Sequence, residues 1–192
     1  MRETRSWVLG IAMVAAAALS CGCSGDETGS DGPPAPPPGS FEAEAAGSGP
    51  RLWLEAQLDG AMSATVGLWG AELGPVFGWS AHITGYGGEH LAPDGDPTVE
   101  PAALAPADPA QALGFAKIQR PTDIALGASR LSPELGEVTI DLPTELARVV
   151  LQPLGPGESE LRIEQVVIRR SDGSYQTASV YGGVLTTAGG GQ

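Results

Sequence analysis

Short runs of alternating apolar and polar residues, separated by glycine and proline, fill residues 51–187 of this chain. The first run, RLWLEAQL, puts Leu52 and Leu54 on one side of an extended segment and Trp53 and Glu55 on the other. A period of two is typical of a β-strand with one buried face, whereas an amphipathic helix repeats every ~3.6 residues. The 28 glycines and 17 prolines also interrupt helices and end strands. The sequence therefore predicts short strands joined by turns and excludes a helical bundle.

The run at 76–84, VFGWSAHIT, separates a predicted core from a predicted surface. It places Trp79 inward with other apolar side chains, and it places Ser80, His82 and Thr84 outward. Eight or nine such runs, with frequent turns between them, are typical of two antiparallel sheets packed face to face. We therefore predict an all-β fold, an antiparallel jelly-roll β-sandwich of about nine strands.

One long run changes parity, which predicts a bend in its strand. Leu161 and Ile163 share one face, but Ile168 falls on the other parity of the same run. An extra residue inserted into one strand restores the inward direction of the residues after it. We therefore expect a β-bulge near Glu164-Gln165.

Other local signals predict where strands stop. Gly74-Pro75 is expected to break the chain, because proline fixes φ and lacks the donor that a sheet requires. Residues 93–112 contain five prolines and are expected to form a loop. In the run EVTIDL, Leu142 is expected to continue the inward face of Ile140.

The N-terminus reads as an export signal. Arg2 and Arg5 precede an uncharged stretch of 13 residues, Trp7–Leu19. A membrane-spanning helix needs about 20 apolar residues, so this stretch fits the shorter hydrophobic region of a secretory signal. We therefore predict a signal peptide at residues 1–20, and the cysteines beside its end make it a lipoprotein signal peptide.

The chain has two cysteines, Cys21 and Cys23, and both lie at this predicted cleavage point. A disulfide across a single glycine would be strained. The sequence ALSCGC resembles the lipoprotein cleavage box of bacteria, in which the cysteine carries the lipid. Cys21 fits that box better than Cys23, which stays the alternative; a plain signal peptide with incidental cysteines is the other interpretation. Gly22, rather than aspartate, after Cys21 favours an exported protein anchored by lipid at the outer membrane or cell surface.

Residues 21–50 are predicted to form a disordered linker. The stretch contains five acidic residues, no basic residue and a single aromatic residue, Phe41. Such a composition buries too little apolar surface to offset the entropy of ordering, and its PPAPPP run favours an extended polyproline conformation. The folded domain is accordingly predicted at 51–192.

Charge and residue types limit what this domain can do. With 23 acidic and 10 basic residues the net charge is -13, which disfavours nucleic acid and anionic lipid as partners. Contact with a membrane is therefore expected only through the lipid anchor, and the protein is expected to be a monomer. The domain has no cysteine nucleophile and no recognised hydrolase or phosphate-binding motif, so we predict no catalytic residue, no cofactor and no enzymatic activity.

Four residues bear on metal binding. His82 and His90, with Asp94 and Asp96, carry atoms that zinc prefers, but their spacing matches no zinc motif. Asp94-Gly95-Asp96 resembles a fragment of a calcium loop without the remaining ligands. The sequence predicts no metal site and leaves open whether calcium binds near Asp94 and Asp96.

The stretch LARVVLQPLGPGESELRIEQVVIRRSDGSYQTASVYGGVLT resembles the end of a cohesin module. It shares the Leu-Ala strand, the glycine-bounded turn, the Ser-Asp-Gly turn and the last strand with Gly-Gly. VFGWSAHITGY is similar to an early strand of that family, although this chain has Gly85-Tyr86-Gly87-Gly88 where the family continues into Tyr-Asp-Pro and a Leu. The resemblance implies a nine-stranded jelly roll related to carbohydrate-binding modules, which docks dockerin modules through one sheet face. Ser80, His82 and Thr84 lie on the strand that resembles part of that face.

These observations predict a surface-anchored, non-catalytic binding module whose partner is a dockerin-type protein, linked to polysaccharide degradation. An alternative is a carbohydrate-binding module that tethers the cell to polysaccharide, with Trp53, Tyr175 and Tyr181 as stacking residues. A further alternative is a spacer lipoprotein without a specific ligand.

Overall fold

A computed structural model describes residues 39–59, 63–86, 90–120 and 122–188. The predicted signal peptide, both cysteines and the first part of the predicted linker lie outside these residues, as does the end of the chain. In the described ranges, the helical segments are three 3-10 turns of three residues, at Pro101–Ala103, Pro109–Gln111 and Pro133–Leu135. No helix in these ranges is long and apolar enough to cross a membrane.

Strands make up the regular structure. They are β1 (Ser40–Ala43), β2 (Arg51–Asp59), β3 (Ser63–Ala71), β4 (Leu73–Val76), β5 (Gly78–Thr84), β6 (Leu91–Pro93), β7 (Thr98–Val99), β8 (Ala112–Arg120), β9 (Asp123–Arg130), β10 (Val138–Ile140), β11 (Thr144–Pro153), β12 (Gly157–Arg169), β13 (Tyr175–Gln176), β14 (Ser179–Tyr181) and β15 (Gly183–Thr187). Eight of these described strands have five or more residues, and the others are short pieces of two to four residues.

The strands form two main sheets. The first sheet has the order β1-β15-β12-β5-β9-β8, with β13 also paired to β12. The second sheet has the order β14-β2-β3-β11-β6, with β7 also paired to β11. Pairing is antiparallel in both sheets except between β14 and β2, and β4 and β10 form a separate antiparallel pair. The predicted all-β jelly-roll sandwich is therefore confirmed.

One hydrophobic core lies between the two sheets. Leu54 and Leu68 of the second sheet and Ile83 and Leu126 of the first belong to the same buried cluster. Trp79, predicted to point inward, is 4% exposed. Full burial of a Leu or Ile side chain contributes about 1.5–3 kcal/mol to the free energy of folding. The apolar side chains on the inward side of the strands therefore supply most of the driving force for this fold.

The predicted bulge in the long strand is confirmed. The pairing of β12 with β5 shifts register between Glu164 and Val167, and Gln165 adopts a positive φ of 49°. Because the shift restores the inward direction, Ile163 and Ile168 are both buried although they differ in parity.

Two local predictions were wrong. Gly74-Pro75 does not interrupt the chain but lies inside β4, where the isolated two-stranded pair with β10 tolerates proline. Leu142 is 75% exposed rather than inward. The reason is that β10 ends at Ile140, so Leu142 lies outside the strand and the alternation of inward and outward side chains does not extend to it.

The first sheet begins before residue 51, within the segment that the sequence assigned to the linker. Residues 40–43 form β1 and pair with β15, and Phe41 packs against the core. The peptide N–H of Gly182 donates a hydrogen bond of 2.7 Å to the Glu44 carboxylate. A single aromatic ring packed on the core and a row of strand hydrogen bonds thus order a segment whose composition resembles a linker.

Candidate functional site

The outer surface of β12, β5, β9 and β8, which we call the front face, carries the residues predicted to contact a protein partner. Ser80, His82 and Thr84 project outward from β5 and are half-buried. Strand register sets their neighbours on both sides. Ser80 lies opposite Val167 and Gly127, His82 opposite Glu164 and Ala125, and Thr84 opposite Arg162 and Asp123.

One end of the front face is polar. His82 Nδ1 lies 2.8 Å from Asp123 Oδ1, and the two side chains are only 15% and 19% exposed. On β12 the Arg162 guanidinium donates two hydrogen bonds, of 2.9 Å and 2.6 Å, to the Glu160 carboxylate. These hydrogen bonds lower the pKa of Glu160 and raise that of Arg162. This end therefore presents fixed charged groups of both signs.

A buried phenol lies behind this polar end. The Tyr86 side chain has no exposed surface, and its hydroxyl donates a hydrogen bond of 3.4 Å to the Arg120 carbonyl. Burial, followed by the negative charge of Asp123, raises the pKa of Tyr86 above its ordinary value. The ring therefore supports the polar end from inside as a neutral group.

The other end of the front face is apolar. Leu113, Phe115 and Val167 are 64%, 51% and 41% exposed. The Phe115 ring lies across Gly127, where an added Cβ would come within 2.4 Å of the ring. A depression of about 170 Å³ lies beside Phe115 and Val167. Contiguous exposed apolar side chains of this kind mark surfaces that bind other molecules, and aromatic residues are common energetic anchors there.

Sequence reasoning did not find this apolar end. Hydrophobicity alone places Phe115 and Leu113 in the core, yet β8 turns Gly114 and Ala116 inward instead. The signal was Lys117, which shares the parity of Phe115 and would be costly to bury. Because Gly114 and Ala116 alternate with Phe115 and Lys117, the sequence could have indicated that the small residues point inward and that Phe115 points outward with Lys117.

The outer surface of β14, β2 and β3, together with β11, forms the opposite side of the sandwich, which we call the back face. Trp53 of β2 lies opposite Trp69 of β3 on one side and Tyr181 of β14 on the other. The two indole rings have centroids 6.4 Å apart and planes inclined by 21°. These three half-buried rings, the aromatic row, cross three neighbouring strands.

The structure brings together two of the three predicted stacking residues. Trp53 and Tyr181 are neighbours, but Tyr175 lies on β13, which pairs with β12 of the first sheet, and is 71% exposed. Trp69 was not predicted to join the row. Its signal was the run ATVGLW, in which Trp69 shares a parity with the polar Thr65.

A polar groove of about 360 Å³ adjoins the aromatic row. Besides Ala56, its lining side chains are carboxylates, an amide, a hydroxyl, one guanidinium and the Trp69 indole, from Glu55, Gln57, Asp59, Thr65, Glu145, Arg148 and Trp69. Arg148 donates hydrogen bonds of 2.9 Å and 2.7 Å to Glu145, which raise the pKa of the guanidinium.

The four residues considered for metal binding are not gathered into one site. His82 pairs with Asp123 on the front face, whereas the His90 ring packs against Gly157. Asp94 follows β6, where its N–H donates a hydrogen bond of 2.8 Å to the Val150 carbonyl. In the parts of the chain that the structure describes, no three histidine, cysteine or acidic side chains are placed to hold a metal ion.

No protein-family model and no curated protein matches this chain. Solved cohesin structures do match its fold. A type II cohesin domain from the cellulosome of Acetivibrio cellulolyticus is 10% identical, with a TM-score of 0.55 over 72% of this chain and 95% of that domain. The sixth cohesin of scaffoldin B from the same organism, in complex with a Cel5 dockerin, is 12% identical, with a TM-score of 0.55 over 71% and 97%.

A type I cohesin–dockerin complex from Clostridium thermocellum gives a similar match. The identity is 11% and the TM-score 0.52, over 74% of this chain and 96% of the matched chain. At such low identity the likeness concerns the fold, and the fold that the sequence resemblance implied is confirmed. The chain has the β-sandwich fold of cohesin domains.

Proposed function

We propose that this protein is a non-catalytic binding module that docks a dockerin-type protein on its front face. The observation that carries the proposal is the exposed apolar end of that face, centred on Phe115. Two of the similar structures hold a dockerin in complex with the same fold. A spacer without a ligand has no need of an exposed aromatic anchor beside a polar surface, so this feature favours a binding module.

The apolar end supplies affinity. Phe115 is held in place by its contact with Gly127, so docking would immobilise little that is still free. Leu113 and Val167 widen the patch without adding a charge that would need desolvation. Truncation of a central aromatic residue at an interface commonly costs ~2 kcal/mol or more.

The polar end supplies specificity. At this end the partner contacts the His82–Asp123 pair and Glu164. Ser80 and Thr84 lie beside these residues on the same surface. Groups of both signs, fixed in place, disfavour partners whose charges do not match and set the register of docking. We propose Ser80, His82 and Thr84 as the contact residues of this end.

Anchoring and location are also part of the proposal. The protein is exported, cleaved after residue 20 and lipidated on Cys21, with Cys23 as the alternative, and acts as a monomer at the outer membrane or cell surface. It there holds one partner protein, linked to the degradation of polysaccharide. Mass spectrometry of the N-terminal peptide tests the anchor. If Cys21 carries the lipid, the Cys21→Ser variant is not lipidated. If lipidation persists in Cys21→Ser and is lost in Cys23→Ser, Cys23 carries the lipid.

Titration of the full chain with purified type I and type II dockerin modules tests the docking. We expect one class to bind and Phe115→Ala to weaken that binding by about tenfold or more. Leu142→Ala, which truncates another exposed apolar side chain away from the front face, is expected to change the affinity by less than about twofold. Absence of binding to every dockerin module, or equal losses in the two variants, contradicts the proposal.

A further inference from the structure

We infer that the back face binds a neutral, β-1,4-linked polysaccharide chain on the aromatic row of Tyr181, Trp53 and Trp69. This site lies on the second sheet, whereas the proposed protein-docking surface lies on the first. The two proposals therefore rest on different residues, and either can fail without the other.

The row has the geometry that a stacked sugar chain requires. Its three rings come from adjacent strands at matching register positions, and adjacent strands lie ~4.8 Å apart. The Trp53 and Trp69 ring centroids are 6.4 Å apart, which is of the same order as the advance of one sugar unit along an extended β-1,4-linked chain. The Trp53 and Trp69 planes are inclined by 21° in a stacked arrangement, and the Arg51 guanidinium lies 5.6 Å from the centroid of the Trp53 ring. A sugar chain would therefore contact the ring surfaces that Arg51 and the neighbouring indole leave exposed.

Each ring of the row is held before a ligand arrives. The Trp53 indole N–H donates a hydrogen bond of 2.8 Å to Glu55. The Trp69 indole lies over Gly67, where an added Cβ would be 2.8 Å from Nε1. The Tyr181 hydroxyl lies against Gly47, where an added Cβ would be 2.7 Å away. Binding to such fixed rings costs little side-chain entropy.

The adjoining groove supplies the other half of carbohydrate recognition. A sugar offers an apolar C–H face and a rim of hydroxyl groups, so it needs an aromatic plane beside fixed donors and acceptors. Gln57 and Glu55 line the groove next to Trp69, as do Glu145 and Arg148, which are joined by two hydrogen bonds. These are groups that donate to and accept from hydroxyls.

Charge selects a neutral ligand. The groove is lined by the acidic side chains of Glu55, Asp59 and Glu145, and its single guanidinium, from Arg148, is already bound to Glu145. The Arg51 guanidinium, which lies over the Trp53 ring, is likewise bound to the Glu72 carboxylate. An acidic polysaccharide or a phosphate would therefore meet repulsion without a free cation to offset it. A purely apolar partner would leave these carboxylates without water. A neutral polyhydroxyl chain avoids both costs.

Calorimetric titration of the full chain with cellohexaose, xylohexaose, mannohexaose and chitohexaose tests the inference, with oligogalacturonate as the acidic comparison. We expect at least one neutral hexaose to bind and the acidic one not to bind. Trp53→Ala and Trp69→Ala are each expected to weaken binding by at least about tenfold. Tyr175→Ala, which removes an exposed ring outside the row, is expected to change the affinity by less than about twofold.

A chemical protection measurement gives a readout that needs no variant. N-bromosuccinimide oxidises accessible indoles, and peptide mapping reads each tryptophan separately, so that oxidation of Trp7 does not enter the comparison. The bound hexaose is expected to protect Trp53 and Trp69, while the buried Trp79 is unreactive throughout. Failure of every neutral hexaose to bind overturns the inference. So does unchanged oxidation of both indoles at saturating sugar, or a loss of affinity in Tyr175→Ala equal to that in the tryptophan variants.

Discussion

The front and back faces of this sandwich rest on one core yet differ in what they expose. On the front face, Phe115 lies over Gly127 at the apolar end, and the Arg162–Glu160 ion pair lies at the polar end. On the back face, Trp53 and Trp69 form a row beside an acidic groove. Only the inward side chains of each strand pack in the core. The outward side chains can therefore differ in chemistry between the two sheets without disturbing that packing. The comparison teaches that the same fold can carry two surfaces of unlike chemistry.

Truncation of the shared core is expected to have the largest effect. Leu54 of the second sheet and Leu126 of the first are fully buried. Leu54→Ala and Leu126→Ala should each lower the free energy of unfolding by about 2–5 kcal/mol, since each leaves a cavity. Urea denaturation measures this loss. A loss below about 1 kcal/mol for either variant would mean that the two sheets do not share one tightly packed core.

Gly127→Ala is the next largest change and separates the two faces. The new Cβ would meet the Phe115 ring at 2.4 Å and the Trp79 carbonyl at 2.8 Å, so the ring must move from its place. We expect the affinity for the dockerin-type partner to fall by about tenfold and the free energy of unfolding by about 1–3 kcal/mol. The affinity for the hexaose should not change.

Gly155→Ala is the matched control for this variant, because an added Cβ there has no atom within 4 Å. It should leave both affinities and the stability unchanged. A Gly127→Ala protein that binds its partner as well as the original would show that the position of Phe115 is not important for docking.

The smallest expected effect concerns alkaline pH. The pKa of Tyr86 is raised in the folded protein, so the unfolded chain releases this proton first. The stabilising contribution is complete below about pH 10 and is lost as pH rises above that value. The stability advantage of the original protein over Tyr86→Phe should therefore stay constant up to about pH 10 and shrink as the pH rises from there to about 11, measured by urea denaturation at each pH. A constant difference across this range would contradict the burial of this phenol.

The sequence predicted the strands and the core better than the surfaces. Period-two alternation indicated the inward direction of Trp79 and the parity change that marks the bulge at Gln165, because both are local properties of one strand. It did not predict β1, because the ordering of Phe41 depends on pairing with β15, more than a hundred residues later in the chain.

The candidate surfaces depend on contacts that local patterns do not contain. Tyr181 adjoins Trp53 only because β14 pairs with β2 in parallel, a register between segments far apart in sequence. Phe115 points outward although it is hydrophobic, because the small residues Gly114 and Ala116 fill the inward positions of its strand. Outward side chains can be recognised from a sequence, but which of them become neighbours is a property of the tertiary fold.

The central claim is that the two faces bind different ligands independently. Its most direct test is one set of titrations of Phe115→Ala and Trp53→Ala, each against the dockerin-type module and against the neutral hexaose. The account predicts that Phe115→Ala weakens only the protein partner and Trp53→Ala only the sugar, each by about tenfold or more. If either variant weakens both ligands equally while remaining folded, the two surfaces are not separate and the account is wrong.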